Sequence, residues 1–227
     1  MTISHPEPWC PSPGPSRNPN PNATPINPKV FARFSGVDIS ANTAVWHGEG
    51  TETENSEKST RDATGAAGYE SFFIEKTLGS RLAIGYDYAP DPFGSDTENS
   101  TIFDLKAAAD GAGSYVENKV QVNFEDLSTV YLTFNLNENV YVKAGLVEVD
   151  VISNESLATG STYKNTSLDG DTYGIGYNAD FGNAMFIRFE GTYIDLGSAS
   201  VTASNTDNKV DIKVEGASAK LAIGKTF

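Results

Sequence analysis

The stretch DTYGIGYNADFGNAMFIRFEGTYIDLG, residues 171–197, decides the fold. Up to Phe181 it alternates strictly. Tyr173, Ile175, Tyr177, Ala179 and Phe181 share one side, and Gly174, Gly176, Asn178 and Asp180 share the other. After Gly182-Asn183 the alternation resumes, with Met185, Ile187, Phe189, Gly191 and Tyr193 opposed to Arg188, Glu190 and Thr192. A period of two is the side-chain period of a strand. A Gly-Asn step between two such runs is hairpin-turn chemistry. The stretch therefore predicts two antiparallel strands, 171–181 and 184–196.

The same pattern recurs along the chain. YESFFIEKTL (69–78) meets RLAIGYDYAP (81–90) across Gly79-Ser80, and a strand over about 117–136 meets NVYVKAGLVEVDV (139–151) across Asn137-Glu138. A first strand over about 30–46 and an eighth over about 209–227 complete the set. Four long connections, 47–68, 91–116, 152–170 and 197–208, alternate with the three short ones. Eight antiparallel strands with tight turns on one rim and long loops on the other have the layout of a transmembrane up-and-down β-barrel.

Composition excludes several alternatives. The 227 residues carry 30 acids against 16 bases, a net charge of -14, which is the wrong sign for nucleic-acid binding. A mean hydropathy of -0.34 and the absence of any run of about 20 apolar residues exclude a helical membrane protein. One cysteine, Cys10, cannot build a disulfide framework, and two histidines leave little for metal sites. Nine of the eleven prolines fall within residues 1–28, which read as a disordered or extended tail ahead of a barrel at 29–227. That start has neither the basic-then-apolar pattern of an export leader nor an apolar run before Cys10.

In a soluble barrel the large apolar face points inward, whereas in a membrane barrel it meets lipid and the small or polar face fills the lumen. Gly85, Gly174, Gly176, Gly216 and Gly224 all fall on the polar face, where a narrow bore needs small residues. This favours the membrane arrangement. It makes Tyr86, Tyr88, Phe134, Tyr173, Tyr177, Phe181, Phe189 and Tyr193 lipid-facing aromatics, with Phe134, Phe181, Tyr193 and Phe227 as interfacial girdles. Parity then places Arg33, Glu75, Arg81, Asp87, Lys143, Asp180, Arg188, Glu190 and Lys220 inside. Near-balanced buried charge suggests a plugged lumen, not a wide channel. Glycine bulges near Gly36 and Gly216 account for the weaker parity of the first and last strands.

Residues 29–227 resemble the small eight-stranded outer-membrane β-barrels of Gram-negative bacteria, the OmpA-like, OmpX-like and opacity-type group. The resemblance rests on YGIGYNADFGNAMFIRFEGTYIDLG (173–197), NVYVKAGL (139–146) and the terminal AKLAIGKTF (219–227). It implies residence in the outer membrane, contact with membrane lipid and lipopolysaccharide, and handling by the outer-membrane assembly machinery. Leu221, Ile223 and Phe227 match the family's C-terminal assembly signal, while Lys225 stands where that signal has an apolar residue.

The four long connections hold 13 acids and four bases. Acidic, Ser/Thr/Asn-rich loops such as DGD (169–171) and SDTENS (95–100) make divalent cations candidate partners, although a solvated surface is the simpler account. No cofactor, metal or nucleophile motif is present, and His47 beside Glu49 is an isolated histidine in the first loop. The expectation is a non-enzymatic outer-membrane barrel that presents acidic loops for envelope structure, adhesion or recognition. The alternatives are a small barrel transporting hydrophobic or other small solutes, and a soluble β-barrel binding module.

Overall fold

The computed structural model describes residues 36–54, 57–94, 98–104, 114–157 and 162–227. The segment 1–28 and Arg33 lie outside these residues. All regular structure among them is β. The strands are β1 (Gly36–Glu54), β2 (Glu57–Leu78), β3 (Leu82–Ala89), β4 (Phe93–Gly94), β5 (Glu98–Asp104), β6 (Ser114–Asn135), β7 (Val140–Leu157), β8 (Thr166–Asp180), β9 (Met185–Thr202) and β10 (Lys209–Thr226). Antiparallel pairing runs β1–β2–β3–β6–β7–β8–β9–β10 and returns from β10 to β1, closing an eight-membered ring. The short β4 and β5 continue the line of β3 against β6.

The strands outrun the sequence-based boundaries on the loop side. The first connection, expected over 47–68, is a paired ribbon in which β1 and β2 stay in register to Glu54↔Glu57. The fourth narrows to the residues between Thr202 and Lys209, and the second contains β4 and β5. The tight turns fall where the sequence put them. Gly79 has φ 84°, and Gly182, Asn183 and Ala184 all have positive φ. Asn137 turns the middle hairpin by accepting the Asn139 and Val140 backbone N–H groups on Oδ1 at 2.9 and 2.8 Å.

No bulge occurs at Gly36, whereas β10 does slip against β9 beside Gly216. β1 holds an unbroken register with β10 from Gly36↔Thr226 to Thr53↔Lys209, and the register shifts lie at Glu125/Ser128 and Lys213/Glu215. Gly216 is paired in the ladder, and the position excludes a side chain because one would collide with Trp46, its cross-strand partner. The same device recurs twice. A Cβ on Gly85 would come within 2.2 Å of the Tyr131 ring opposite, and one on Gly176 within 2.2 Å of the Tyr141 ring. Each glycine is the space into which a large inward aromatic lies.

The two faces exchange character partway along the strands. In β7, Val142, Ala144 and Leu146 face outward and Tyr141 and Lys143 inward. Beyond Gly145 the outward residues are Glu148 and Asp150, and the inward ones are Val147, Val149 and Val151. Neighbouring strands change at the same level. Tyr173 gives way to Asp171 outside β8, Tyr193 to Asp195 outside β9, and Ala217 to Glu215 outside β10. The turn-side half is thus polar inside and apolar outside, and the loop-side half is the reverse.

Candidate functional site

The turn-side lumen is filled by three adjoining groups of buried polar side chains, centred on Arg188, Glu190 and Lys220. Arg188 on β9 is fully buried and donates from both terminal nitrogens to the Glu75 carboxylate at 3.2 and 3.3 Å, and from Nε to Asn178 at 2.8 Å. Its guanidinium lies 4.4 Å from the Phe73 ring and 4.9 Å from the Tyr141 ring. Tyr131 donates to Glu75 at 3.2 Å. Glu190 accepts from Lys143 at 2.6 Å, from Thr192 at 3.1 Å, and from the Tyr141 hydroxyl. Lys220 donates to Asp87.

Six of the nine charges assigned to the lumen, Glu75, Asp87, Lys143, Arg188, Glu190 and Lys220, therefore meet inside the barrel. Arg81 and Asp180 do not: the inward assignment of Arg81 is corrected, and Asp180 keeps the inner-face register but stands outside the buried set. Arg81 precedes the first paired residue of β3, is exposed, and turns its guanidinium to within 6.0 Å of the outward Phe134 ring. Asp180 ends β8 at the open rim and is exposed. Parity orders a side chain only while the ladder holds it, as with Arg81, and it does not set depth, as with Asp180.

The sequence reading missed the first strand's share of the lumen. Asp38, Ser40 and Asn42 are buried on the inner face of β1, and Ser40 Oγ lies 2.7 Å from Ser71 Oγ. Both Asp38 carboxylate oxygens and one Asp87 oxygen make no hydrogen bond among the described residues. The alternation of Asp38, Ser40 and Asn42 with Val37, Ile39 and Ala41 was the signal available.

The loop-side half holds an apolar core built from Trp46, Leu127, Val147, Val149, Val151, Leu168, Ile194, Leu196 and Val214. Phe93 is sandwiched between Phe124 and Trp46, with ring centroids 4.1 and 4.4 Å away. β3 stops at Ala89 because Pro90 and Pro92 have no N–H to give the ladder. β2 above Phe72 consequently has no β3 partner among the described residues, and Phe93 covers this break from within. Between the charged set and the apolar core is a cavity of about 30 Å³, lined by Asp87, Lys143, Glu190 and Lys220 below and by Ala89, Leu127 and Ile194 above. That is space for about two waters.

Outside, Ile39, Phe72, Ile74, Ile84, Val130, Leu132, Ile175, Phe189, Leu221 and Ile223 form an exposed apolar band. The eight aromatics assigned to lipid all lie on the outward face, with Tyr88 half-buried and bonded to Asp126. Phe134, Phe181 and Phe227 sit at the turn side of the band, and the cross-strand pair Tyr173↔Tyr193 at its loop side. Leu221, Ile223 and Phe227 are exposed on the same outer face. Directly above the band, Asp171, Asp195, Glu215 and His47 are successive register partners across four strands. His47 meets Thr64 at 3.3 Å, and no cluster of three or more His, Cys, Asp or Glu among the described residues has metal-binding geometry.

A closed antiparallel ring, an apolar outer band with aromatic edges and a polar-filled lumen define the class as an integral outer-membrane β-barrel protein. Its fold is that of the small Gram-negative barrels. The outer membrane protein OprG from Pseudomonas aeruginosa superposes with a TM-score of 0.55 at 12% identity, covering 86% of this chain and 97% of OprG. The outer membrane protein AlkL, solved in lipid bilayers, superposes with a TM-score of 0.51 at 17% identity, covering 85% and 90%. The Escherichia coli outer membrane protease OmpT reaches a TM-score of only 0.47 at 8% identity, covering 88% and 99%, and carries no argument about activity. No protein-family model matches the chain, and no curated protein sequence does.

Proposed function

We propose that this protein is a non-enzymatic, non-conducting outer-membrane barrel whose loop-side half is a rigid acidic head displayed at the cell surface for envelope structure, adhesion or recognition. One observation carries this reading. The lumen is closed twice in series, by the ion-pair set around Arg188 and by the apolar core around Val149, leaving about 30 Å³ between them. A solute crossing the barrel would have to break buried ion pairs and then displace packed hydrophobic side chains. The outward acids above the band meet the phosphate-bearing leaflet of lipopolysaccharide through bridging divalent cations. Leu221, Ile223 and Phe227 act as the signal read by the assembly machinery.

Planar-bilayer recording of the refolded protein tests the closed lumen. The expected trace has no unit conductance, and steady ion-sized channels would refute the reading. A second reading, passage of small hydrophobic solutes, is favoured by the apolar interior beside the ladder break at Pro90–Pro92. It predicts faster uptake of a fluorescent long-chain solute into cells making the protein, reduced by Phe93→Asp.

A further inference from the structure

The outer face of the barrel carries a groove of about 460 Å³ on its turn-side half, within the roughly 300–1,000 Å³ of sites that hold small molecules. Val37, Ile74, Ile84, Tyr86, Val130 and Phe227 line it. Four of them form a continuous row by register, Val37↔Ile74↔Tyr86↔Val130 over β1, β2, β3 and β6. The row lies inside the apolar band, so the occupant of the groove must itself be apolar along its length.

Its charged lining residues are Glu75 and Lys76. Glu75 points inward and is bound to Arg188, whereas Lys76 points outward, is exposed, and makes no ion pair among the described residues. Lys76 stands two residues from the end of β2, in register with Ile84 of the band and with outward Leu78 beyond it, so its long side chain carries the ammonium toward the turn-side headgroups. A second outward lysine, Lys225, is the cross-strand neighbour of Val37. The loop-side edge of the band has the opposite sign, with Asp171, Asp195 and Glu215. An apolar trough ending at cations fits a molecule with an acyl chain and an anionic head, and short turns mark the periplasmic leaflet, where the lipids are phospholipids.

We propose that this groove is a specific site for an anionic phospholipid of the periplasmic leaflet, with one acyl chain along Val37, Ile74 and Val130 and the phosphate on Lys76. The inference is independent of what the head does. Protein reconstituted into vesicles of equimolar phosphatidylglycerol and phosphatidylcholine is extracted in mild detergent, and retained lipid is counted by native mass spectrometry. The expected result is about a fivefold enrichment of phosphatidylglycerol, the preference one lysine near an anionic surface gives. Lys76→Gln should abolish that enrichment while the folded protein keeps its heat-dependent gel mobility. Ile84→Ser should lower the total lipid retained. Equal retention of the two lipids would overturn the proposal. So would enrichment that survives Lys76→Gln but falls with Lys225→Gln, or added lipopolysaccharide displacing the phospholipid.

Discussion

Arg188→Ala tests whether the lumen network is a structural plug. Arg188 and Glu75 expose 2% and 4% of their side chains, so neither has water as an alternative partner. Truncation removes both Glu75 bonds, the Asn178 bond and the stacking on Phe73 and Tyr141, leaving the Glu75 carboxylate with only the Tyr131 hydroxyl. Breaking a buried pair from one side costs about 3–5 kcal/mol, because the remaining charge stays buried and uncompensated. Equilibrium unfolding by denaturant in lipid vesicles, read by tryptophan fluorescence and by gel mobility of unheated samples, measures the loss directly. Removing both charges as Arg188→Met with Glu75→Gln should recover most of it, since no uncompensated charge remains. Conductance should stay absent in each variant, because the apolar core above is untouched. A loss under about 1 kcal/mol accompanied by open channels would refute both the strength of the pair and its role in closing the barrel.

Other perturbations probe different layers. Gly85→Ala should destabilise by about 1–3 kcal/mol through its clash with the Tyr131 ring, and Tyr131→Ala in the same chain should relieve part of that cost; refolding yield and unfolding midpoint report both. Val149→Asp places a carboxylate where the side chain is fully buried and should cost about 2–5 kcal/mol, confined to the head. Proteolysis of the loops should then quicken at least tenfold while the heat-dependent mobility shift persists, and unchanged proteolysis would argue against a packed outer core. The Ser200 hydroxyl, and then Lys209, hold the Asp211 carboxyl below the usual carboxylate range. A depressed folded value gives a contribution present at neutral pH and lost on acidification. An NMR titration should therefore find Asp211 low in the native protein and higher in Ser200→Ala.

Much of the membrane-embedded half was legible because lipid imposes a period-two code. From Tyr173 to Tyr193 every second residue is apolar or small, the turn carries Gly and Asn, and both faces follow directly. The head was not legible for the same physical reason. Residues 58–66 of β2 are exposed at every position, so nothing selects an alternation, and a paired ribbon reads as a polar loop. The switch of faces was written in Val147-Glu148-Val149-Asp150-Val151, whose valines continue the line of Lys143 by parity alone, but only the closed ring shows that line to change from polar to apolar around the barrel at one level. The Gly85–Tyr131 fit joins residues 46 positions apart and depends on the β3–β6 pairing alone. Arg81 escaped parity because it sits just outside the ladder that enforces it, and Asp180 follows parity but lies at the rim, a depth that alternation does not encode.

The exchange of faces in β7 also sets a standoff height. Sliding the barrel inward by one pleat pair would drag Glu148, Asp171 and Asp195 into hydrocarbon, and sliding it outward would lift Leu146 and Tyr173 into water, so the protein is pinned in depth. Residues 148–157 of β7 then rise, at about 3.3 Å per residue and roughly 40° of tilt, some 25 Å beyond the apolar band. Up to Val151 that rise is backed by the packed apolar core, which fixes the height of its lower part as no loop could. Anything that meets the acids over this core must do so at one fixed distance from the membrane, and the thickness of the surrounding sugar layer decides whether they stand clear of it or lie within it.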